Sequence, residues 1–182
     1  MKIRSEELIQ DLIERTRQNI NKAESLKSKT DAALNYKTKP QSWSALECLE
    51  HLNLYGRFYL PEIAKRINEA PSRKETYFKS GWLGNYFANS LLPKEKLNKM
   101  STFKNMNPLN SKLDRTVIND FLNQQIQILE LLDKSRDVNL NKTKTNISIS
   151  SWIKLKLGDT FRVVIYHNQR HMMQAEKVLN GL

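Results

Sequence analysis

The sequence predicts an all-α fold, a four-helix bundle with long crossover connections and a short additional helix, in one domain spanning residues 1–182. Three features predict it. Four segments repeat apolar residues at spacings of three and four, prolines and serines punctuate the chain between them, and two polar stretches are long enough to cross from one end of a bundle to the other.

Helical periodicity begins near Ser5, read as an N-cap with Glu6 and Glu7 in the first turn, and Leu8, Leu12, Ile13, Ile20 and Leu26 form the first apolar stripe. Pro40, in Lys39-Pro40-Gln41-Ser42, stops any continuation. Ser42 or Ser44 then caps a second helix running to about Ala70, with Leu46, Leu49, Leu54, Phe58 and Ile63 as core candidates. Pro61 is expected to kink or divide it, because its nitrogen cannot donate to the preceding turn. Trp82 to Leu92, between Gly81 and Pro93, reads as a short helix or a packed loop across the bundle. Pro93 to Leu113 reads as a long irregular connection of the kind that forms site walls.

The third long helix is placed from about Arg115 to Lys134, capped by Asp114 and carrying Val117, Phe121, Leu122, Ile126, Leu129 and Leu132 inward. Asn139 to Ser151, where Ile147 and Ile149 alternate with serine, has the pattern of an extended segment but is too short for a sheet of its own and reads as a second crossover. The final helix opens after Gly158 and Asp159. It turns Phe161, Val164, Ile165, His167, His171, Ala175, Val178 and Leu179 inward.

Composition narrows the function. No stretch approaches the roughly 20 uninterrupted apolar residues of a membrane span, so no membrane partner is expected. The first residues hold no apolar leader, and the single cysteine, Cys48, allows neither an internal disulfide nor a thiolate zinc site; a cytoplasmic location is the expectation. The formal charge is +11, with the excess in Lys94 to Arg115 and Lys134 to Lys156. No helix-turn-helix, finger or aromatic-and-basic sheet pattern accompanies it, so nucleic acid is not expected as a partner.

His167 and His171 are four apart in a predicted helix, so their imidazoles leave one face together. Neutral imidazoles suit zinc, nickel, copper or ferrous iron. The bland alternative is a pair of core-edge residues bonded to carbonyls. His51, the remaining histidine, lies in another apolar helix, and three neutral ligands would leave coordination positions for water and substrate. A satisfied core histidine is the competing reading for His51.

Two blocks resemble the DinB-like superfamily of metal-binding bundles, which includes YfiT-type hydrolases and bacillithiol transferases. Pro40-Gln41-Ser42-Trp43-Ser44-Ala45-Leu46-Glu47-Cys48-Leu49-Glu50-His51-Leu52 is similar to its Trp-Ser then Leu-x-His-Leu opening of the second helix. Leu157-Gly158-Asp159-Thr160-Phe161, then His167-Asn168-Gln169-Arg170-His171-Met172-Met173-Gln174, is similar to its last helix. The resemblance implies an up-down-down-up bundle in which His51, His167 and His171 hold one divalent transition metal, nickel or zinc first and iron or manganese after them. The site would open towards a cleft, often in a homodimer. It further implies a transferase moving a low-molecular-weight thiol to an electrophile, or a hydrolase, acting on a small-molecule substrate. The alternative is a non-catalytic binding or stress-response module with a structural or vestigial metal site.

Other residues carry paired readings. Glu47 lies one turn before His51 and is a candidate base or imidazole-orienting group, though a capping partner for Ser44 is the simpler role. Cys48 reads as buried and inert rather than as a ligand. Tyr55 can present a hydroxyl, and Trp43, Trp82 and Tyr86 can line a cleft, with core packing as the alternative for all four. Arg170 reads as a surface residue or an anion ligand, and Gln174 as a partner for a ligand histidine or a neighbouring helix.

Overall fold

A computed structural model describes residues 1–71, 73–93 and 101–181. Four long helices, α1 (Ser5–Leu26), α3 (Ala45–Glu69), α5 (Thr116–Lys134) and α6 (Leu157–Asn180), form the bundle, with short helices α2 (Asp31–Asn35) and α4 (Trp82–Leu91). Each of α1 and α3 packs against both α5 and α6. Arg15 bonds Gln169 and Lys22 bonds Glu176, so α1 and α6 run parallel, whereas His51 faces His171 and Tyr55 faces His167, so α3 and α6 run antiparallel. Gln124 of α5 reaches Asn53 and Gly56 of α3 while Asn53 also bonds the Val117 carbonyl, a parallel pairing. The order is up-down-down-up.

The helix ends follow local chemistry. Ser44 caps α3 in a full capping box with Glu47. Pro61 lies inside α3 without dividing it. Ser5 is not a cap: Arg4 takes that position, and the Ser5 hydroxyl donates to the Glu75 carbonyl, tying the helix start to a segment distant in sequence. Asp114 stands one residue before the cap position of α5 but still accepts from the Thr116 amide at 2.8 Å. On α5 the expected inward Ile126 is 50% exposed, because the buried face runs through Val117, Ile118, Phe121, Leu122, Gln125, Ile128, Leu131 and Leu132. One residue of offset turns a helical side chain by about 100°.

Two short antiparallel ribbons correct the second-crossover reading and extend it. β1 (Lys2–Arg4) pairs with β2 (Tyr77–Lys79), and β3 (Lys144–Ile147) pairs with β4 (Ser150–Lys156). The second ribbon is held by the helices instead of by more strands: the Asn146 amide donates to Glu62 at 2.8 Å, and Thr145 and Thr160 share a bond of 2.6 Å. The connection after Pro93 is irregular with one 3-10 turn, Lys104–Met106, and its residues 94–100 lie outside the described ones.

α6 starts at Leu157, earlier than its sequence suggests, because Gly158 and Asp159 are packing residues. A Cβ on Gly158 would stand 2.6 Å from the Phe78 ring, and one on Gly84 would stand 2.4 Å from Asp159. Asp159 is fully buried, accepts from Ser80, from the Gly81 amide at 2.8 Å and from Arg162 at 3.2 Å, and Arg162 continues to Asn85 and Asn89 on α4. This network fastens α4 to α6. Asp159→Ala is expected to cost about 3–5 kcal/mol, because it strands a buried guanidinium, read as a fall in the urea unfolding midpoint at pH 7.

Candidate metal centre

Antiparallel packing of α3 on α6 sets two residues one turn apart, His51 and Tyr55, against two others one turn apart, His171 and His167. The three imidazole centroids lie 4.6 to 5.0 Å apart, and one ring nitrogen from each histidine lies within 4.8 Å of the others. His51 and His171 are buried and His167 is partly exposed.

The hydrogen bonds decide which nitrogens face inward. His51 Nδ1 lies 2.6 Å from the Met106 carbonyl, which only accepts, so that nitrogen carries the proton and Nε2 keeps its lone pair. His171 Nδ1 lies 2.9 Å from Gln174 Oε1 and is placed the same way. His51 Nε2 and His167 Nε2 are 3.2 Å apart. Two zinc–nitrogen bonds at a tetrahedral angle span about 3.3 Å, so the three histidines suit a metal ion in both donor type and spacing.

The Met106 carbonyl is itself held in place by the start of α3. Trp43 Nε1 donates to Asn107 Oδ1 at 3.1 Å, and its ring lies 4.6 Å from that of His51. Glu47 accepts from the Ser44 amide at 2.9 Å, the Lys37 ammonium at 2.7 Å and the Asn110 amide at 2.5 Å. Asn110 adopts a φ of 64°, a left-handed turn that asparagine tolerates, and its side chain accepts from Lys37. Glu47 is therefore buried and committed to the cap and to this loop, and its part in the site is indirect.

Burial sets the protonation. It pushes His51 down to about 4, against a smaller upward pull from the Met106 carbonyl. It pushes His171 down to about 3, aided by His51 and opposed by Gln174. His167 falls well below its ordinary value for the same reason, with the charges of His171, His51 and Arg170 adding to it. All three are neutral, the form that binds metal, at neutral pH.

The cluster opens into a cavity of about 690 Å³. Trp43, Tyr55, Arg170 and Gln174 line it, as do Phe103 and Leu109 from the long connection. Arg170 is buried, contrary to the surface reading, because it stands between the two inward histidines of α6. Trp82 and Tyr86 line no part of it and are 84% and 62% exposed. Cys48 is sealed in an apolar cluster, its thiol pushed up by burial. Sequence reasoning missed the Met106 carbonyl, for which a side-chain pattern holds no signal. It also missed Tyr59 and Asn168, whose signals were one-turn spacing from Tyr55 and adjacency to His167.

A family model for the DinB superfamily matches residues 12–175. No curated protein and no solved structure matches the chain.

The lowered histidine values fix the sign of a pH effect. Between about pH 6.5 and about 4 the unfolded chain binds protons at His51 that the metal-free fold does not, so stability is full above 6.5 and is lost as pH falls through this window. His171 extends the loss towards about 3. Urea titrations of metal-free protein at stepped pH are expected to show that slope, and stability independent of pH from 7 to 4 would contradict it.

Proposed function

The chain belongs to the DinB superfamily, and from that membership and the three converging histidines we propose that it is a metal-dependent enzyme, a thiol transferase or hydrolase, using a divalent transition metal, nickel or zinc, at His51, His167 and His171. The observation that carries this reading is that the three imidazoles border a large cavity instead of closing on one another in the core. A site that opens onto such a space leaves room for a reacting molecule beside the ligands. When bound, the ion supplies Lewis acidity that eases deprotonation of a water or thiol.

The residues of this chain then have distinct tasks. The Met106 carbonyl and Gln174 hold His51 and His171 with Nε2 inward. Tyr55, edge-on to His51 and His167, covers the cluster on one side, and Trp43 covers it on another. Among the described lining residues there is no aspartate or glutamate, and Arg170 is the charged one. A dipositive ion in that setting favours a substrate that brings negative charge on an otherwise apolar body, because the aromatic and aliphatic walls supply no counter-charge.

Metal analysis of protein purified without added metal is expected to find about one equivalent per chain, lost in each of His51→Ala, His167→Ala and His171→Ala. Gln174→Leu is expected to weaken metal binding by about 10- to 100-fold with the helical content unchanged. Thiol and electrophile pairs screened with loaded protein are expected to show turnover that chelation abolishes. Failure to take up metal under any loading condition would overturn the proposal, and metal uptake without turnover on thiols or hydrolysable esters and amides would favour the binding module.

A further inference from the structure

The two β-ribbons lie side by side at the end of the bundle where α1 and α6 begin, joined by Lys156 Nζ donating to the Lys79 carbonyl and by Asn141, which bonds the Tyr77 carbonyl and the Lys79 amide. Alternation sorts their side chains into two faces. Phe78, Thr145, Ile147 and Leu155 are buried, while Lys2, Arg4, Tyr77, Lys79, Lys144, Asn146, Trp152, Lys154 and Lys156 take the outer positions. Six of those nine are cationic and none is acidic. Lys2 stands directly opposite Lys79, and Lys144 opposite Lys156, pairings that repel. Segments 1–4, 73–79 and 142–156, which contribute this end, hold nine Lys or Arg and one Glu, a net of eight of the chain's eleven positive charges.

Bulky apolar side chains stand among the cations. Trp152 is 93% exposed, Trp82 is 84% exposed and follows Gly81, which the Lys156 side chain approaches, and Ile149 projects from the turn of the second ribbon. Exposed tryptophan is costly in water but suited to the headgroup region of a bilayer, where lysines meet anionic lipid. From this face we infer a docking surface for an anionic phospholipid membrane, with the ribbons laid on the headgroups and Trp152 and Ile149 entering among them. A single-stranded nucleic acid fits less well: the Lys2 ammonium already stands over the Tyr77 ring at 4.7 Å, and an aliphatic prong adds nothing to base stacking. Because α4 and this ribbon also wall the cavity through Phe87, Leu91, Ile147 and Ile149, docking would set the cavity wall against the bilayer.

The test is flotation of the full chain with phosphatidylcholine vesicles, with and without phosphatidylglycerol, at physiological ionic strength. Binding is expected only with phosphatidylglycerol. It should fall about tenfold or more in the double variant Lys144→Glu, Lys154→Glu, whose positions are exposed. Tryptophan emission of the wild type should be quenched by lipids brominated in their acyl chains, and Trp152→Ala should lower that quenching. Equal binding to both vesicle types, an unchanged double variant, or displacement from vesicles by a single-stranded oligonucleotide that binds more tightly would overturn the inference.

Discussion

The site depends on a change of character at the middle of every long helix. On α1 the apolar residues through Ile13 belong to one buried cluster and those from Ala23 to another, with buried Thr16 and Asn19 between them. Asn53 on α3, Gln125 on α5 and Asn168 on α6 stand at the same boundary. Asn168 donates to Gln125 at 3.1 Å and Asn53 to the Val117 carbonyl at 3.0 Å, which joins helices across this layer, while both polar atoms of the Asn19 side chain, Asn53 Oδ1 and Gln125 Nε2 are buried without a hydrogen-bond partner among the described residues. The histidines lie in its extension towards the cavity. Polar side chains that would be expensive inside a continuous apolar core are grouped where one core ends and the next begins.

Within that layer the two ends of the family-like motif act through different atoms. His167 and His171 owe their placement to one helix. His51 needs a second helix for its backbone and a third segment, the loop around Met106, for its tautomer. Trp43 and Glu47 grip that loop while Ser44 begins the helix, so one stretch of sequence both starts α3 and fixes the ring it carries. Glu47, one turn before His51, read more simply as a capping partner for Ser44 than as a base, and its three hydrogen-bond donors give it that capping role and make it an anchor for the loop.

What could be read from the sequence follows from range. The apolar stripes, Ile126 apart, and the four-residue spacing of the helix-borne histidines are local and appeared where expected, and of the two caps the sequence offered, Ser42 and Ser44, Ser44 forms the capping box. The first ribbon was invisible because three-residue strands carry almost no period and β1 finds its partner more than seventy residues away, and the second showed only as the alternation of Ile147 and Ile149 with serine. Ile126 and Arg170 were misplaced for a related reason: apolar and charged character predict burial only once the packed face is known, and here Gln125 faces inward and Arg170 lies between inward histidines. The basic end was legible only in part: the excess in Lys134 to Lys156 stood out, while Lys2, Arg4 and Lys79 reach it from separated segments.

Register ties these parts together. Sliding α6 by one turn against α3 would move its histidines by about 5.4 Å, more than the whole 3.2 Å separation of the His51 and His167 nitrogens. Apolar stripes alone do not forbid that slip, because leucine and isoleucine tolerate exchange of neighbours. Specific contacts at both ends do. Gly158 packs against Phe78, Gly84 against Asp159, and Thr160 bonds Thr145, whose neighbour Asn146 bonds Glu62 of α3, while at the far end Lys22 pairs with Glu176. The surface pair contributes little by itself, whereas the glycine contacts are steric and resist displacement along the helix. The end of the bundle that carries the ribbons therefore sets the geometry of the histidines at its middle.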